Sequence, residues 1–119
     1  MQGPAGPIGD VSEADWHRVM TVNLASAHAL TSVFAPAMAR RGGGSIIFIA
    51  SIAALRGNKA IGLYGLTKAA LAQLARNLAV EWGPLNIRAN AIAPGLVRTP
   101  LANGAAAVDD AAAPRWRAA

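Results

Sequence analysis

Positions that share one helical face recur between residues 16 and 38, and this spacing predicts a long amphipathic helix. Ser12 resembles the first residue of a capping box, with Asp15 at the position usually held by glutamate. Pro36 is expected to kink this helix or to remove one backbone hydrogen bond. Gly42 and the two glycines that follow it end the helix. The positions on the shared face are Trp16, Val19, Met20, Asn23, Ala27, Leu30, Phe34 and Met38.

Two short apolar runs with a helix between them follow this first helix. Residues 45–50 are rich in β-branched side chains and are preceded by glycines, which is typical of a strand buried on both faces. A second helix is predicted over about residues 63–82, and Gly83 with Pro84 ends it. Residues 86–92 form the second strand candidate. The apolar side of the second predicted helix carries Leu71, Leu74, Ala75, Leu78, Ala79 and Trp82.

The order helix, strand, helix, strand predicts an α/β fold. A strand, a crossover helix and a second strand form one βαβ unit of a doubly wound parallel sheet. Residues 1–11 are a loop rich in glycine and proline. Residues 103–119 are rich in alanine and weakly patterned, so we expect a disordered segment or a frayed helix there.

Composition and charge narrow the classes of function. With 54% hydrophobic and 14% charged residues, the 119-residue chain suits one small domain with a buried core. A sequence pI of about 11.2 invites a nucleic-acid interpretation. The basic residues are scattered, however, and no aromatic side chains alternate with them. We therefore expect no nucleic-acid partner.

The residue types in the chain argue against disulfide, metal and membrane-spanning sites. The chain has no cysteine, which excludes disulfides, zinc–thiolate sites and thiol catalysis. His17 and His28 have no acidic partner at metal-ligand spacing, so we expect no metal site. No apolar run approaches the ~18–20 residues of a membrane span, and the first residues do not resemble a signal peptide. A cytoplasmic protein without membrane contact is the expectation.

Tyr64 and Lys68 carry the candidate chemistry. They are four residues apart at the start of the second helix, which puts both on one helical face. The helix N-terminus and an ammonium group would both stabilise a phenolate, which suits a proton donor and acceptor. Ser51 directly follows the first strand, at the sheet edge where open α/β sheets bind ligands. The alternative is an ordinary amphipathic tyrosine, a solvated lysine and a loop or cap serine.

Four segments in order resemble the short-chain dehydrogenase/reductase family. Ser51 and Tyr64 are 13 residues apart, which also fits the spacing in that family. The resemblance covers about residues 7–102, and it implies that residues 1–102 are the C-terminal catalytic part of a Rossmann-like domain. The segments are residues 15–24 (DWHRVMTVNL), 44–51 (GSIIFIAS), 64–68 (YGLTK) and 90–99 (NAIAPGLVRT).

The resemblance assigns a role to each residue of the candidate catalytic set. It implies that Tyr64 is the general acid and base and that Lys68 holds the ribose hydroxyls of the nicotinamide nucleotide. Ser51 would position the carbonyl or hydroxyl of an alcohol or ketone substrate. Asn23 would hold a water molecule in the proton relay behind the lysine. For Asn23, the alternative is a helix residue that bonds its own backbone.

The loop after the second strand would line the nicotinamide ring. In this resemblance its positions are Pro94, Gly95, Val97 and Thr99, with the Val97 backbone and the Thr99 hydroxyl near the carboxamide. The alternative for Pro94 and Gly95 is a plain turn that ends the strand, which these two residue types would serve equally well. The implied reaction is reversible hydride transfer between NAD or NADP and a small-molecule alcohol or ketone. The two long helices are also expected to pair in a homo-oligomer.

The sequence departs from the family at the cofactor-binding half. No strand, Gly-rich turn and helix of the pyrophosphate-binding type is found, because Gly42–Gly44 precede a strand instead of following one. Of the family's strand order 3-2-1-4-5-6-7, only strands five and six are recognised. A parallel pair of strands is marginal alone, so we expect weak folding, association or aggregation. We also expect weak or no turnover.

Two functions other than a dehydrogenase remain open. One is a non-catalytic oligomerisation module derived from the family. The other is a lyase or epimerase, since sugar-nucleotide epimerases share the Tyr-x-x-x-Lys pattern of Tyr64 and Lys68. The segment at residues 90–95 favours the simple reductases.

Overall fold

The computed structural model describes residues 1–97, which form an α/β arrangement with two strands. A five-residue π-helical segment, Thr21–Ala25, joins the first two helices, and short 3₁₀ turns occur at Ile8–Asp10, Ile52–Ala54 and Gly83–Leu85. Residues 98–119 lie outside the described residues, and so do the expectations for Thr99 and for the segment 103–119. The helices and strands are α1 Glu13–Met20, α2 Ser26–Arg40, β1 Gly44–Ile49, α3 Gly62–Trp82 and β2 Ile87–Ile92.

The first predicted helix is present with its cap, and its irregularity lies at Asn23. Ser12 accepts a hydrogen bond from the backbone N–H of Asp15 (3.1 Å) and donates one to the Asp15 carboxylate (2.9 Å). The first bond is the N-cap that the sequence predicts, whereas the Asp15 carboxylate accepts from the Ser12 hydroxyl and not from its backbone N–H as in a full capping box. Helix α2 continues through Pro36 to Arg40. The change in helical geometry falls instead in the π-helical segment, which contains Asn23.

The strands pair in parallel, as the βαβ prediction requires. Gly44 lies opposite Ile87, and Ile49 lies opposite Ile92. The amino ends of the two strands are also joined through Asn86, whose carbonyl accepts from Gly44 N–H (3.0 Å). Gly43 has φ +121°, and a Cβ there would overlap the Asn86 carbonyl. A glycine is therefore required where these two loops cross.

Helices cover one face of the sheet and build the core there. Leu24 and Ala27, from the π-helical segment and α2, pack against the same cluster as α3. We expected β1 to be buried on both faces, and this was wrong for the described residues. Ile47 and Ile49 are 57% and 56% exposed because both long helices lie on the opposite face. The buried cluster consists of Phe48, Leu71, Ala75, Leu78 and Ala89.

The predicted helix faces agree with the structure for α3 and only in part for α2. The α3 residues Leu71, Ala75 and Leu78 are buried. In α2 the buried residues are Thr31 and Ala35, whereas Leu30 and Phe34, on the predicted face, are exposed. The π-helical segment shifts the helical phase by one residue, which moves the buried stripe from Leu30 and Phe34 to the next residue along.

Candidate active site

Tyr64 and Lys68 lie on the same side of the first turns of α3. Tyr64 is the third residue of this helix, and Lys68 follows one turn later. The Nζ atom of Lys68 is 5.6 Å from the centroid of the Tyr64 ring. That distance allows a favourable contact between the cation and the aromatic face. The structure thus brings together the two residues that the four-residue spacing places on one face.

Lys68 is also bound to the carboxyl end of β1. Its Nζ donates a hydrogen bond to the carbonyl oxygen of Ile49 (2.8 Å), the last residue of that strand. Partial burial lowers the pKa of Lys68 below its ordinary value, because the charged form loses solvation. The ammonium is therefore held at the sheet edge where ligands bind in open α/β sheets.

Ser51 lies at this same edge, two residues beyond the end of β1. Its hydroxyl oxygen accepts a hydrogen bond from Ala53 N–H (3.1 Å) and caps the turn Ile52–Ala54. The cap serine that sequence reasoning left as an alternative is therefore present. A hydroxyl also carries one hydrogen to donate, and this bond does not use it. In residues 1–97 no hydrogen bond joins the hydroxyls of Ser51 and Tyr64.

Close packing fixes the start of α3 against the turn that carries Ser51. A Cβ on Gly65 would lie 2.8 Å from the carbonyl oxygen of Ala53. The glycine next to Tyr64 therefore lets the helix backbone approach the turn. The backbone that follows Tyr64 therefore packs directly against the turn that Ser51 caps.

The loop before α3 is held by the side chain of Asn58. Its Oδ1 accepts hydrogen bonds from the backbone N–H groups of Ala60 (2.8 Å) and Ile61 (3.0 Å). The Ala60 carbonyl accepts from Gly6 N–H (2.8 Å), which ties the loop to the N-terminal segment. Ile61, the residue before α3, contributes no side-chain cap. Asn58 therefore supplies the local polar anchor in front of Tyr64.

Asn23 is buried and reaches two partners. Its Nδ2 donates to the Met1 carbonyl (2.8 Å) and to the hydroxyl of Thr67 (3.0 Å). Its Oδ1 accepts from the Met1 amino group (3.1 Å). The side chain does not bond its own backbone, which was the alternative in sequence reasoning. It is instead directed at the helix that carries Tyr64 and Lys68.

Thr67 is the residue that sequence reasoning missed. It is completely buried, and its hydroxyl donates to the Tyr64 carbonyl (2.8 Å) while accepting from Asn23. A threonine that bonds a carbonyl three residues earlier in a helix is common, so its position next to Lys68 carried no distinct signal. Only the fold shows that the same hydroxyl receives a hydrogen bond from a residue 44 positions away.

The loop after β2 is held at the same sheet edge. Ile52 N–H donates to the Pro94 carbonyl (3.0 Å), which joins this loop to the turn after β1. Gly95 and Val97 follow and are exposed. Thr99 lies outside the described residues. Pro94 is thus placed beside the turn of Ser51 at the carboxyl end of the sheet.

A cavity of about 300 Å³ lies along α3 and reaches the sheet edge at Ala50, Ala54 and Ala93. Its polar lining residues are Arg76 and Asn90, and the other walls are mainly alanines of α3 and β2. Tyr64, Lys68 and Ser51 do not line it. Within the described residues, no group of three or more acidic, histidine or cysteine side chains is arranged to hold a metal ion.

In the part of the chain that the structure describes, no helix combines the length and apolar character needed to cross a bilayer.

The sequence and the fold match those of known proteins. Residues 1–119 match the family model described as "Enoyl-(Acyl carrier protein) reductase". The Bos taurus protein "Dehydrogenase/reductase SDR family member 4" is 44% identical over 94 residues, which cover 79% of this chain and 34% of that protein. The chain therefore spans about a third of the length of this curated relative.

Solved structures with bound nucleotides share the fold. A gluconate 5-dehydrogenase from Burkholderia cenocepacia, in complex with NADP and tartrate, matches with a TM-score of 0.83 and 34% identity. The match covers 92% of this chain and 42% of that one. An NAD⁺-bound xylitol dehydrogenase matches with a TM-score of 0.80 and 32% identity, over 85% and 39% of the two chains.

The chain therefore has a Rossmann-like α/β fold of the kind found in nicotinamide-dependent oxidoreductases. Within that class, it belongs to the short-chain dehydrogenase/reductase family.

Proposed function

We propose that this chain carries the proton-transfer site of an NAD(P)-dependent dehydrogenase or reductase acting on a small-molecule alcohol or ketone. The observation that carries the proposal is the position of Lys68. Its ammonium contacts the face of Tyr64 at 5.6 Å and the carboxyl end of β1 at 2.8 Å, two residues before Ser51. This position supports the proposal because the ammonium lies near the phenol ring and is bonded to the strand end that Ser51 follows.

Each side chain has a distinct part in the proposed reaction. In the reductive direction Tyr64 donates its phenolic proton to the oxygen of the substrate carbonyl, and in the oxidative direction it takes that proton back. Ser51 donates its unused hydroxyl hydrogen to the same oxygen and orients it. Asn23 holds the relay water, and its Oδ1, which accepts one hydrogen bond from the Met1 amino group, keeps a second acceptor position for it.

The residues at this edge fit a nicotinamide nucleotide. An ammonium has three hydrogens to donate, and within residues 1–97 Lys68 uses one of them, on Ile49. The others can bind the two ribose hydroxyls. The exposed residues Gly95 and Val97 offer backbone polar groups beside them. When bound, the nicotinamide ring supplies or accepts the hydride.

The proposal is tested by Tyr64→Phe, which removes only the phenolic oxygen. We expect turnover with NADH or NADPH to fall to background while the nucleotide binds as before, since the proton donor is lost and Lys68 is kept. Lys68→Met should instead weaken nucleotide binding. Leu66→Ala, on the same helix but absent from the proposed set, is the control.

Turnover above background in the parent chain that Tyr64→Phe retains in full would contradict the proposed chemistry. Absence of nucleotide binding in the parent chain, measured by NADH fluorescence, would contradict the cofactor assignment. We further propose that turnover by these 119 residues alone is weak. Their sequence contains no Gly-rich turn between a strand and a helix to bind the pyrophosphate.

A second function, assembly as a homo-oligomer, is supported by α2. Leu30, Val33 and Phe34 form an exposed apolar patch on this helix. Adjacent turns of one helix carry all three residues, which suits helix-to-helix contact between two copies. This function does not depend on Tyr64, so Tyr64→Phe separates it from the catalytic proposal.

A further inference from the structure

Two residues of the candidate site are linked through one buried hydroxyl group. Asn23 lies in the π-helical segment and Tyr64 lies at the start of α3, so different parts of the chain supply them. Between them stands Thr67, with no exposed surface. Its oxygen accepts from Asn23 Nδ2 at 3.0 Å, and its hydrogen is donated to the Tyr64 carbonyl at 2.8 Å. The two bonds form a continuous path from the Asn23 amide to the Tyr64 backbone.

We propose that Thr67 is a positioning residue that sets the distance between Asn23 and the turn of α3 that carries Tyr64. A hydroxyl can accept and donate at the same time, whereas alanine or valine at this position can do neither. Because the group is buried, solvent cannot replace either bond. Loss of the hydroxyl would leave one hydrogen of the Asn23 amide without a partner inside the protein.

The consequence for the site rests on the proposed function. There, Asn23 holds the relay water and Tyr64 handles the substrate proton, so their separation decides whether the relay is continuous. Thr67 touches neither substrate nor cofactor in this scheme. It acts through Asn23 and Tyr64, because its hydroxyl is hydrogen-bonded to both residues.

The chain offers a matched control for this idea. Thr31 is also buried in a helix and also donates to a carbonyl three residues earlier, that of His28 (2.8 Å). It has no contact with Asn23 or Tyr64 among the described hydrogen bonds. Thr31→Val therefore removes the same local bond as Thr67→Val without breaking a link between two parts of the site.

Nuclear magnetic resonance can read both ends of the link without any enzymatic turnover. Tyr64 is the only tyrosine in the chain, so ¹³C-labelled tyrosine gives one set of ring signals. The side-chain amide of Asn23 reports the other end through its hydrogen exchange. In Thr67→Val we expect this exchange to become roughly fivefold to tenfold faster, as the loss of one net hydrogen bond implies. The ring signals of Tyr64 should shift in the same variant.

Two further variants complete the experiment. Thr67→Ser keeps the hydroxyl and should restore both the slow exchange and the Tyr64 signals. Thr31→Val should change neither. The proposal is overturned if Thr67→Val leaves Asn23 and Tyr64 unchanged, if Thr31→Val moves them equally, or if Thr67→Ser behaves like Thr67→Val.

The parent chain gives a test that does not depend on the folding of any variant. A nuclear Overhauser effect is expected between the Asn23 side-chain amide hydrogens and the Thr67 methyl group, and its absence would overturn the link. Failure of this proposal is distinct from failure of the proposed function. A parent chain that binds no nicotinamide nucleotide contradicts the function but leaves the link between Asn23 and Thr67 intact.

Discussion

The ammonium group of Lys68 donates a hydrogen bond of 2.8 Å to the carbonyl oxygen of Ile49, the last residue of β1. This bond joins the helix of the candidate acid and base to the sheet edge at which Ser51 follows. It also places a positive charge where its solvation is reduced, and burial lowers the pKa of Lys68. The same relationship therefore has consequences for the site and for stability.

The first prediction concerns the pH dependence of stability. The folded pKa of Lys68 lies below the ordinary value of 10.5, so between these two values the unfolded chain binds more protons than the folded chain. The contribution of Lys68 to the free energy of unfolding must then rise as pH increases through this window. Below the folded pKa it is constant and at its least favourable.

Urea unfolding from neutral pH to about pH 10 measures this contribution. We expect the free energy of unfolding of the parent chain to rise with pH more steeply than that of Lys68→Met. Lys59→Met, which removes the same charge from an exposed position, is the control. Parallel curves for the parent chain and Lys68→Met would show that the folded state does not disfavour the charged lysine.

The second prediction concerns Gly65, which lies between Tyr64 and the turn of Ser51. Helix propensity alone predicts that Gly65→Ala gains about 1 kcal/mol. The new Cβ, however, would lie 2.8 Å from the Ala53 carbonyl, and backbone cannot move aside as a flexible side chain can. We expect a net loss of about 1–2 kcal/mol.

Gly57→Ala is the matched control for Gly65→Ala. A Cβ at Gly57 would have no neighbour within 4 Å. Gly57 lies in the loop between the turn Ile52–Ala54 and α3, the two elements that pack together at Gly65. Chemical denaturation of the three proteins gives the comparison. If Gly65→Ala is as stable as the parent chain, the approach of α3 to Ala53 is looser than the structure describes.

Sequence reasoning was accurate where local patterns determine the structure. The Ser12 cap, the apolar side of α3 and the parallel pairing of the strands follow from spacing and residue type, and all three are present. The buried stripe of α2 was placed one residue early. Hydrophobic spacing assumes one constant helical period, and the π-helical segment at Thr21–Ala25 changes that period.

The sequence suggested which residues form the candidate site, but not the contacts that they make. The four-residue spacing placed Tyr64 and Lys68 on one face, as observed. It could not show that Lys68 binds the Ile49 carbonyl or that Thr67 connects Asn23 to α3, because both bonds join distant segments. Such contacts depend on tertiary packing, and no local pattern encodes them. The roles assigned to Tyr64, Lys68, Ser51 and Asn23 all remain predictions.

The third prediction concerns Asn58 in the loop before α3. Its side chain holds the N–H groups of Ala60 and Ile61, as a helix cap would. Asn58→Ala should lose about 1 kcal/mol of stability, because both groups lose their acceptor. Asn58→Asp keeps an oxygen acceptor and should retain most of the stability that Asn58→Ala loses.

Hydrogen exchange of the backbone checks the location of the Asn58 effect. Faster exchange is expected at Ala60 and Ile61 in Asn58→Ala, with little change at the far end of α3. Asn77→Ala is the control, since that exposed side chain bonds only the side chain of Gln73 in the described residues. Unchanged exchange at both amides in Asn58→Ala would rule out the anchoring role.

The fourth prediction concerns association through α2. Val33 and Phe34 are 68% and 57% exposed, and apolar side chains at this exposure favour contact with another surface. Replacing Val33 with lysine places a charge at the centre of that patch, and a buried unpaired charge is strongly unfavourable. Sedimentation velocity should therefore show Val33→Lys shifted towards the monomer relative to the parent chain. Leu55→Lys adds the same charge at a residue that is 71% exposed and distant in sequence from α2, so it should leave the association unchanged. Equal shifts in both variants would indicate non-specific apolar aggregation, and no shift in either would place the contact elsewhere on the molecule.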